Sequence, residues 1–236
     1  MTHAKYRDHL PHNAGNIFLT DGGLETTLLF LEGFDLPYFA AFNLMRTVEG
    51  KQAIENYLLK YVGIAKENGA GIILDTPTWR ASQDWGDLLG YSPEALDAVN
   101  RESVEMLHDI RAAHETDATN CVINGAIGPR GDGYNPALIM SAEEAADYHR
   151  PQVTAFVEAG ADMITAVTMN YINEAIGIAQ LGAEFNIPTV ISFTVETDGR
   201  LPTGETLEEA IRKTDDASGN SPAYYMINCA HTTHFH

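Results

Sequence analysis

The chain has 236 residues, 44% of them apolar and 20% charged, with a formal net charge of −19, enough for one good-sized core and read as a single domain over 1–236. So acidic a chain lacks the Lys and Arg clusters that hold nucleic acid or anionic membranes, and no apolar run reaches the roughly 18 residues that a bilayer span requires. The polar N-terminal stretch MTHAKYRDHLPHNAGN has no apolar centre of a secretory signal, so the chain is expected in the cytoplasm.

In chain order, one unit recurs: a short apolar run, a loop, then a helical stretch. IFLTD (17–21) is the first expected strand, followed by GIILD (71–75), CVING (121–125), DMITA (162–166), PTVISF (188–193) and YYMIN (224–228). These runs are nearly continuous rather than alternating, as in parallel strands buried on both faces. Between them lie helix signals. A helix over about 48–68 ends at Gly69, a C-cap glycine. Ser92-Pro93 opens another that runs to about His114. Ser141 with Glu144, and Thr206 with Glu209, have capping-box spacing.

Regular β-α alternation implies a parallel α/β sheet with right-handed crossovers. Six strands fit either an open doubly wound sheet or part of a (β/α)8 barrel. Chemistry-bearing residues follow many strands, at Asp21, Asp75, Gly128 to Arg130, Thr168, Glu196 and Cys229. An open sheet gathers its site at one switch point, whereas a barrel gathers every strand end on one rim. That spread favours the barrel. The glycine-rich GPRGDG (128–133) is read as a tight turn in preference to an anion cradle. The two cysteines, Cys121 and Cys229, are too few for a disulfide framework.

Four segments in order carry a resemblance: TDGGLETTL after the first strand, GAIGPRGDGY after the third, ISFTVETDGRLPTGETLEEA around the fifth and INCAH at the sixth. Together they resemble the homocysteine S-methyltransferase family, zinc-dependent TIM-type (β/α)8 barrels, over nearly the whole chain. DTPTWRASQDWG and NCAHTTHF look like a bacterial branch of it. The resemblance implies methyl transfer from a sulfonium or ammonium donor to the thiol of homocysteine, giving methionine, or to a related small-molecule thiol. It implies Cys229 as the first of three zinc-binding cysteines, and Asp21 and Gly22 as holders of homocysteine's amino group and backbone. Glu196 and Asp198 are candidates for shaping the donor side.

Two departures from the family pattern follow. Much of the family ends its fourth strand in a glutamate that helps to bind the amino acid. Here ITAVTMNY puts Val167 there, leaving Thr168 or Asn170 to substitute. The family's double-cysteine segment after the eighth strand is absent, because the sequence stops after the sixth. The expected fold is therefore an incomplete barrel of about six βα units with the last two missing. Cys121 opens the third strand and belongs to the opposite rim from Cys229, so it cannot complete the metal site. CAHTTHFH offers Cys229, His231, His234 and His236 as an alternative local set, although His231 and His234 are read as rim or exposed residues. Open barrel edges imply that the chain is either part of a longer gene product or closes by self-association. The competing readings are a non-catalytic remnant without a functional metal site and a barrel enzyme of different specificity.

Overall fold

The computed structural model describes residues 4–136 and 138–235. Six strands, β1 (Phe18–Thr20), β2 (Gly71–Asp75), β3 (Cys121–Ile127), β4 (Met163–Met169), β5 (Thr189–Phe193) and β6 (Tyr224–Ile227), pair in parallel in sequence order. Seven α-helices accompany them: α1 (Leu24–Thr26), α2 (Val48–Glu67), α3 (Gln83–Leu88), α4 (Pro93–His114), α5 (Ala142–Ala159), α6 (Ile172–Glu184) and α7 (Leu207–Ser218). These are six consecutive strands of a (β/α)8 barrel, as expected, of which the first five are followed by an α-helix among the described residues. No helix among the described residues is long and apolar enough to cross a membrane.

The start signals act as local chemistry dictates. The Ser92 side chain accepts from Ala95 N, and Pro93 occupies the first helical position of α4, where its missing N–H costs nothing. Both capping boxes form, Ser141 with Glu144 and Thr206 with Glu209. Some boundaries differ from the sequence reading. β1 is shorter because Ile17 is 76% exposed. β3 and β4 run further, to Ile127 and Met169, since their apolar runs continue. The β4–β5 register shifts between Ala166 and Met169. Val167 therefore lies at an irregularity inside β4 rather than at its end.

Side chains alternate between the two faces of each strand. On the outer face Ile72, Leu74, Ile123, Ile164, Ile191 and Phe193 join one large core with the helices, including Ile54, Leu58, Leu107 and Phe156. On the inner face Ile73, Val122, Met163 and Val190 form a second cluster with Phe18, Tyr224 and Met226. Residues from both edge strands meet in this inner cluster, so the sheet is curled around it. Two positions further along, the inner face turns polar at Asp75, Asn124, Thr165, Ser192 and Asn228. Asn124 donates to Asp75 Oδ1 (2.7 Å) and accepts from Thr165 Oγ1 (3.0 Å).

The N-terminal segment closes the apolar end. Leu10 is buried in the inner cluster, and the segment is held by Asp162. One carboxylate oxygen of Asp162 accepts from Lys5 N (2.7 Å) and Tyr6 N (2.9 Å). The other accepts from Ile123 N (2.8 Å) and Arg111 Nη1 (2.6 Å). Both members of the Arg111–Asp162 pair are buried. Removing one partner of such a pair strands a buried charge, at a cost of about 3–5 kcal/mol. Asp162→Ala should therefore lower the unfolding free energy by about that amount in urea titrations; a loss under about 1 kcal/mol would show that the anchor is dispensable.

Candidate functional site at the carboxyl ends of the strands

The polar inner layer opens onto the carboxyl-terminal rim, where the loops after every strand converge. Asp21 and Gly22 follow β1. Asp21 is half-buried, and burial raises its pKa; the Tyr57 hydroxyl on α2 donates to Tyr61 Oη (3.4 Å). The Gly22 carbonyl accepts from Tyr61 Oη (3.2 Å). Glu25 and Asp75 lie in the same field. Burial, together with the Asp21 charge, raises the carboxyl pKa of each to about 7. Three carboxylates thus share one desolvated corner, an arrangement that favours protonation or the arrival of a cation.

The loop after β2 carries Trp79 and Arg80 and is tied down on several sides. Thr76 Oγ1 accepts from Ala126 N (2.9 Å), and Thr78 Oγ1 donates to Ala126 O (2.8 Å). Gln152 donates to Thr78 O (3.0 Å), and Asn100 to Ala81 O (3.0 Å). The Trp79 indole donates to Val167 O (3.2 Å). Trp79 also accounts for the first glycine of GPRGDG: a Cβ on Gly128 would lie 2.2 Å from Trp79 O. The rest of that loop is a turn, as expected. Asp132 Oδ1 accepts from Tyr134 N and Asn135 N, and Arg130 is paired with Asp84 at 2.7 Å. Glu196 and Asp198 likewise sit in a turn, with Asp198 accepting from Arg200 N (3.1 Å).

Asn228 joins β4, β5 and β6, and nothing in the sequence marked it out beyond its place before the cysteine. Its Oδ1 accepts from Thr168 N (2.9 Å) and Ser192 Oγ (2.7 Å). Its Nδ2 donates to Thr168 Oγ1 (2.8 Å) and Cys229 Sγ (3.3 Å). Thr168 and Cys229 both have left-handed backbones, with φ of 67° and 53°. Thr168 is buried, and Asn228 engages both its amide and its hydroxyl. Asn170 is buried as well; its Nδ2 donates to Asp132 O (2.8 Å), while its Oδ1 has no partner among the described residues. Sequence reasoning placed Asp21, Gly22, Thr168, Asn170 and Cys229 at this rim. It missed Glu25, Tyr57, Trp79, Arg80, Tyr134 and Asn228. All but Tyr57 fall inside the motifs TDGGLETTL, DTPTWRASQDWG, GAIGPRGDGY and INCAH, but no local signal singled them out.

The two cysteines separate as expected. Cys121 begins β3 within the buried outer core, and burial pushes its thiol up to about 11. Cys229 is exposed, follows β6, and its Sγ accepts from Asn228 Nδ2 (3.3 Å). His231 bonds to Thr233 Oγ1 (2.9 Å) and lies with its ring centroid 6.1 Å from that of His234. His236 lies outside the described residues. Among the described residues no group of three or more His, Cys, Asp or Glu is arranged to hold a metal ion.

The sequence model of the homocysteine S-methyltransferase family matches residues 18–236. The chain belongs to the homocysteine S-methyltransferase family. Relatives include the homocysteine S-methyltransferase of Escherichia coli K12, 28% identical over 52% of this chain and 44% of that protein. Homocysteine S-methyltransferase YbgG of Bacillus subtilis is 37% identical over 27% of this chain and 22% of that protein. Homocysteine S-methyltransferase 1 of Arabidopsis thaliana is 24% identical over 94% of this chain and 71% of that protein. The matches to the two bacterial relatives thus span less than half the length of each. Among solved structures, the metallated form of the E. coli homocysteine methyltransferase MmuM superposes with a TM-score of 0.76 at 21% identity, covering 94% of this chain and 78% of that one. The apo form gives 0.67 at 22% identity over 94% and 75%. These likenesses establish the barrel architecture.

The raised carboxyls of this family member have a pH signature. A carboxyl at about 7 in the fold, against an ordinary 3.8, makes the native state bind more protons than the unfolded chain between those values. Stability contributed by Asp75 therefore falls as pH rises from about 4 to about 7 and is flat above. Asp75→Asn keeps an acceptor for Asn124 and removes the titration. Its melting temperature relative to the wild type should rise between pH 5 and pH 8; a relative fall would contradict the raised pKa.

Proposed function

We propose that this chain is a methyltransferase that takes a methyl group from a sulfonium or ammonium donor and attaches it to the thiol of homocysteine or a related small-molecule thiol. The observation that carries the reading is the placement of the Cys229 sulfur. It is exposed at the rim, next to the Thr168–Asn228 clasp, in a chain of this family. Asp21, with Glu25 and Asp75 beside it, would receive the ammonium group of an amino-acid thiol, and the cation would offset their mutual repulsion. Gly22 would line the backbone of that ligand. Asn170 Oδ1, buried and unpartnered, is a free acceptor for it. Thr168, with its hydrogen-bonding groups held by Asn228, would act by fixing the shape of the rim. Val167 can neither accept a hydrogen bond nor balance an ammonium, so the corner around Asp21 would carry that charge.

In the transfer, the acceptor sulfur forms a bond to the methyl carbon, and the donor's C–S or C–N bond breaks. The bonding pair leaves with the donor as a neutral sulfide or amine, and the thiol proton must have departed first. Family resemblance implies zinc, whose chemistry is to strip that proton and hold the thiolate. The described residues supply one thiolate and no three-donor set, so they do not by themselves fit the metal, and Cys229 is the ligand this chain would contribute. That misfit favours a second reading, a chain that binds the thiol without turning it over.

Incubating the purified chain with L-homocysteine and S-methylmethionine, and measuring methionine together with bound zinc, separates the two. Methyl transfer that is lost in Cys229→Ser is the expected result, and any bound zinc should be lost with it. Zinc content unchanged by that substitution would remove Cys229 from the metal, and no product with any sulfonium or ammonium donor would leave only the binding reading. The unpaired edges of β1 and β6, together with the exposed Ile17 entering β1, support self-association as cover for the open side of the sheet. Light scattering should then give a mass above the 25.8 kDa of one chain, whereas a compact monomer would refute it.

A further inference from the structure

Two arginines are buried to 7% exposure, and they differ in one respect. Arg111 has the Asp162 carboxylate at 2.6 Å. Arg80 has no carboxylate within 4.0 Å among the described residues; its Nη1 donates to Gly131 O (2.9 Å), and its Nε is buried without a partner. Buried charges are ordinarily paired, because a guanidinium taken out of water and left without an anion is costly. The chain nevertheless holds this one firmly. Its carbon centre lies 4.1 Å from the Trp79 ring and 3.9 Å from the Trp85 ring. The loop bearing it is bonded to β3, α4 and α5 through Thr76, Thr78, Asn100 and Gln152.

The position of Arg80 is as informative as its pairing. Trp79, on which Arg80 stacks, donates to Val167 O beside the Thr168–Asn228–Cys229 clasp, and the charges that act on the guanidinium are Asp132 first and Glu25, the neighbour of Asp21, second. The guanidinium thus belongs to the same rim as the carboxylate corner and the sulfur. An amino-acid thiol carries an ammonium, a carboxylate and a sulfur, and these three poles match the three features of the rim in chemistry. A guanidinium presents its Nε edge to a carboxylate in a two-point, planar contact. Neither Trp79 nor Trp85 can supply an anion, and Nε carries no acceptor among the described residues.

Resting on the proposed reading of the site, we propose that Arg80 is the receptor for the carboxylate of an amino-acid ligand, fixing the ligand between the Asp21 corner and Cys229. The carboxylate could belong to the thiol acceptor or to the methyl donor, and the test distinguishes them. Calorimetric titration of the full chain compares L-homocysteine with 3-aminopropane-1-thiol, and S-methylmethionine with its decarboxylated sulfonium; the members of each pair differ only in the carboxylate. One pair should show a preference for the carboxylate of about tenfold to a hundredfold, the worth of a charge-assisted hydrogen bond, and that pair identifies the source. In Arg80→Gln the preference should collapse to about one while the affinity of the decarboxylated ligand is kept, a change that a merely structural role would not produce. Arg80→Lys should keep part of it. Should both variants fail to fold, the Nε–H resonance of Arg80 in the wild type should shift with the carboxylate ligand and not with its analogue. Equal affinities within both pairs, an undiminished preference in Arg80→Gln, an unshifted resonance, or no binding of either carboxylate ligand overturns the proposal. Carboxylate-dependent binding without methyl transfer sinks the proposed reaction and leaves this inference standing; methyl transfer without the preference does the reverse.

Discussion

A strand sends alternate side chains to opposite faces, and in a parallel sheet wrapped by helices both faces are covered. The architecture described here depends on that constraint. The outward residues of β2 to β5 are apolar and merge with the helices. The inward residues are apolar at one end of the strands, where Leu10 closes the cluster, and polar two positions on. One step of the pleat therefore separates a packed floor from a chemical rim. A one-residue slip in any strand would exchange the two faces and bury Asp75 or Asn124 among the helices.

At the rim the main local device is Asn228. Non-glycine residues held at positive φ cost of the order of 1–3 kcal/mol each, and Thr168 and Cys229 are both so held. The four hydrogen bonds of the Asn228 side chain reach into β4, β5 and the cysteine sulfur itself, which offsets that strain and sets where the sulfur points. The irregular register of β4 against β5 between Ala166 and Met169 is part of the same arrangement. It brings the Val167 carbonyl to Trp79, so the loop after β2 and the end of β4 form one connected surface.

Electrostatically the rim is a balance in a poorly screened place. Asp21, Glu25 and Asp75 repel one another and are pushed towards protonation. Arg80, also desolvated, feels Asp132 first and Glu25 second and forms an ion pair with neither. Unlike the Arg111–Asp162 anchor at the other end of the barrel, which is complete within the chain, Arg80 Nε and Asn170 Oδ1 have no partner among the described residues, although Asp75 is held by Asn124. Such incompleteness is the physical mark of a surface arranged for a charged ligand.

The sequence by itself determined the order of strands and helices, the capping boxes at Ser141 and Thr206, the start of α4 at Pro93, and the separate fates of Cys121 and Cys229. Apolar runs, caps and strand-end positions are local properties, written in consecutive residues. It also marked Asp21, Thr168 and Asn170 as rim residues, since a strand end is recognisable from its own run. Tertiary structure alone decided that Thr168 has its amide and hydroxyl taken by Asn228, that Arg130 is spent on Asp84, and that Arg80 lies buried between two tryptophans without an anion. Each of these depends on side chains 46 to 60 residues apart, or on the fold of a loop around a single guanidinium. No local pattern encodes such a meeting, because it exists only once the sheet has curled and its loops have been brought to one rim.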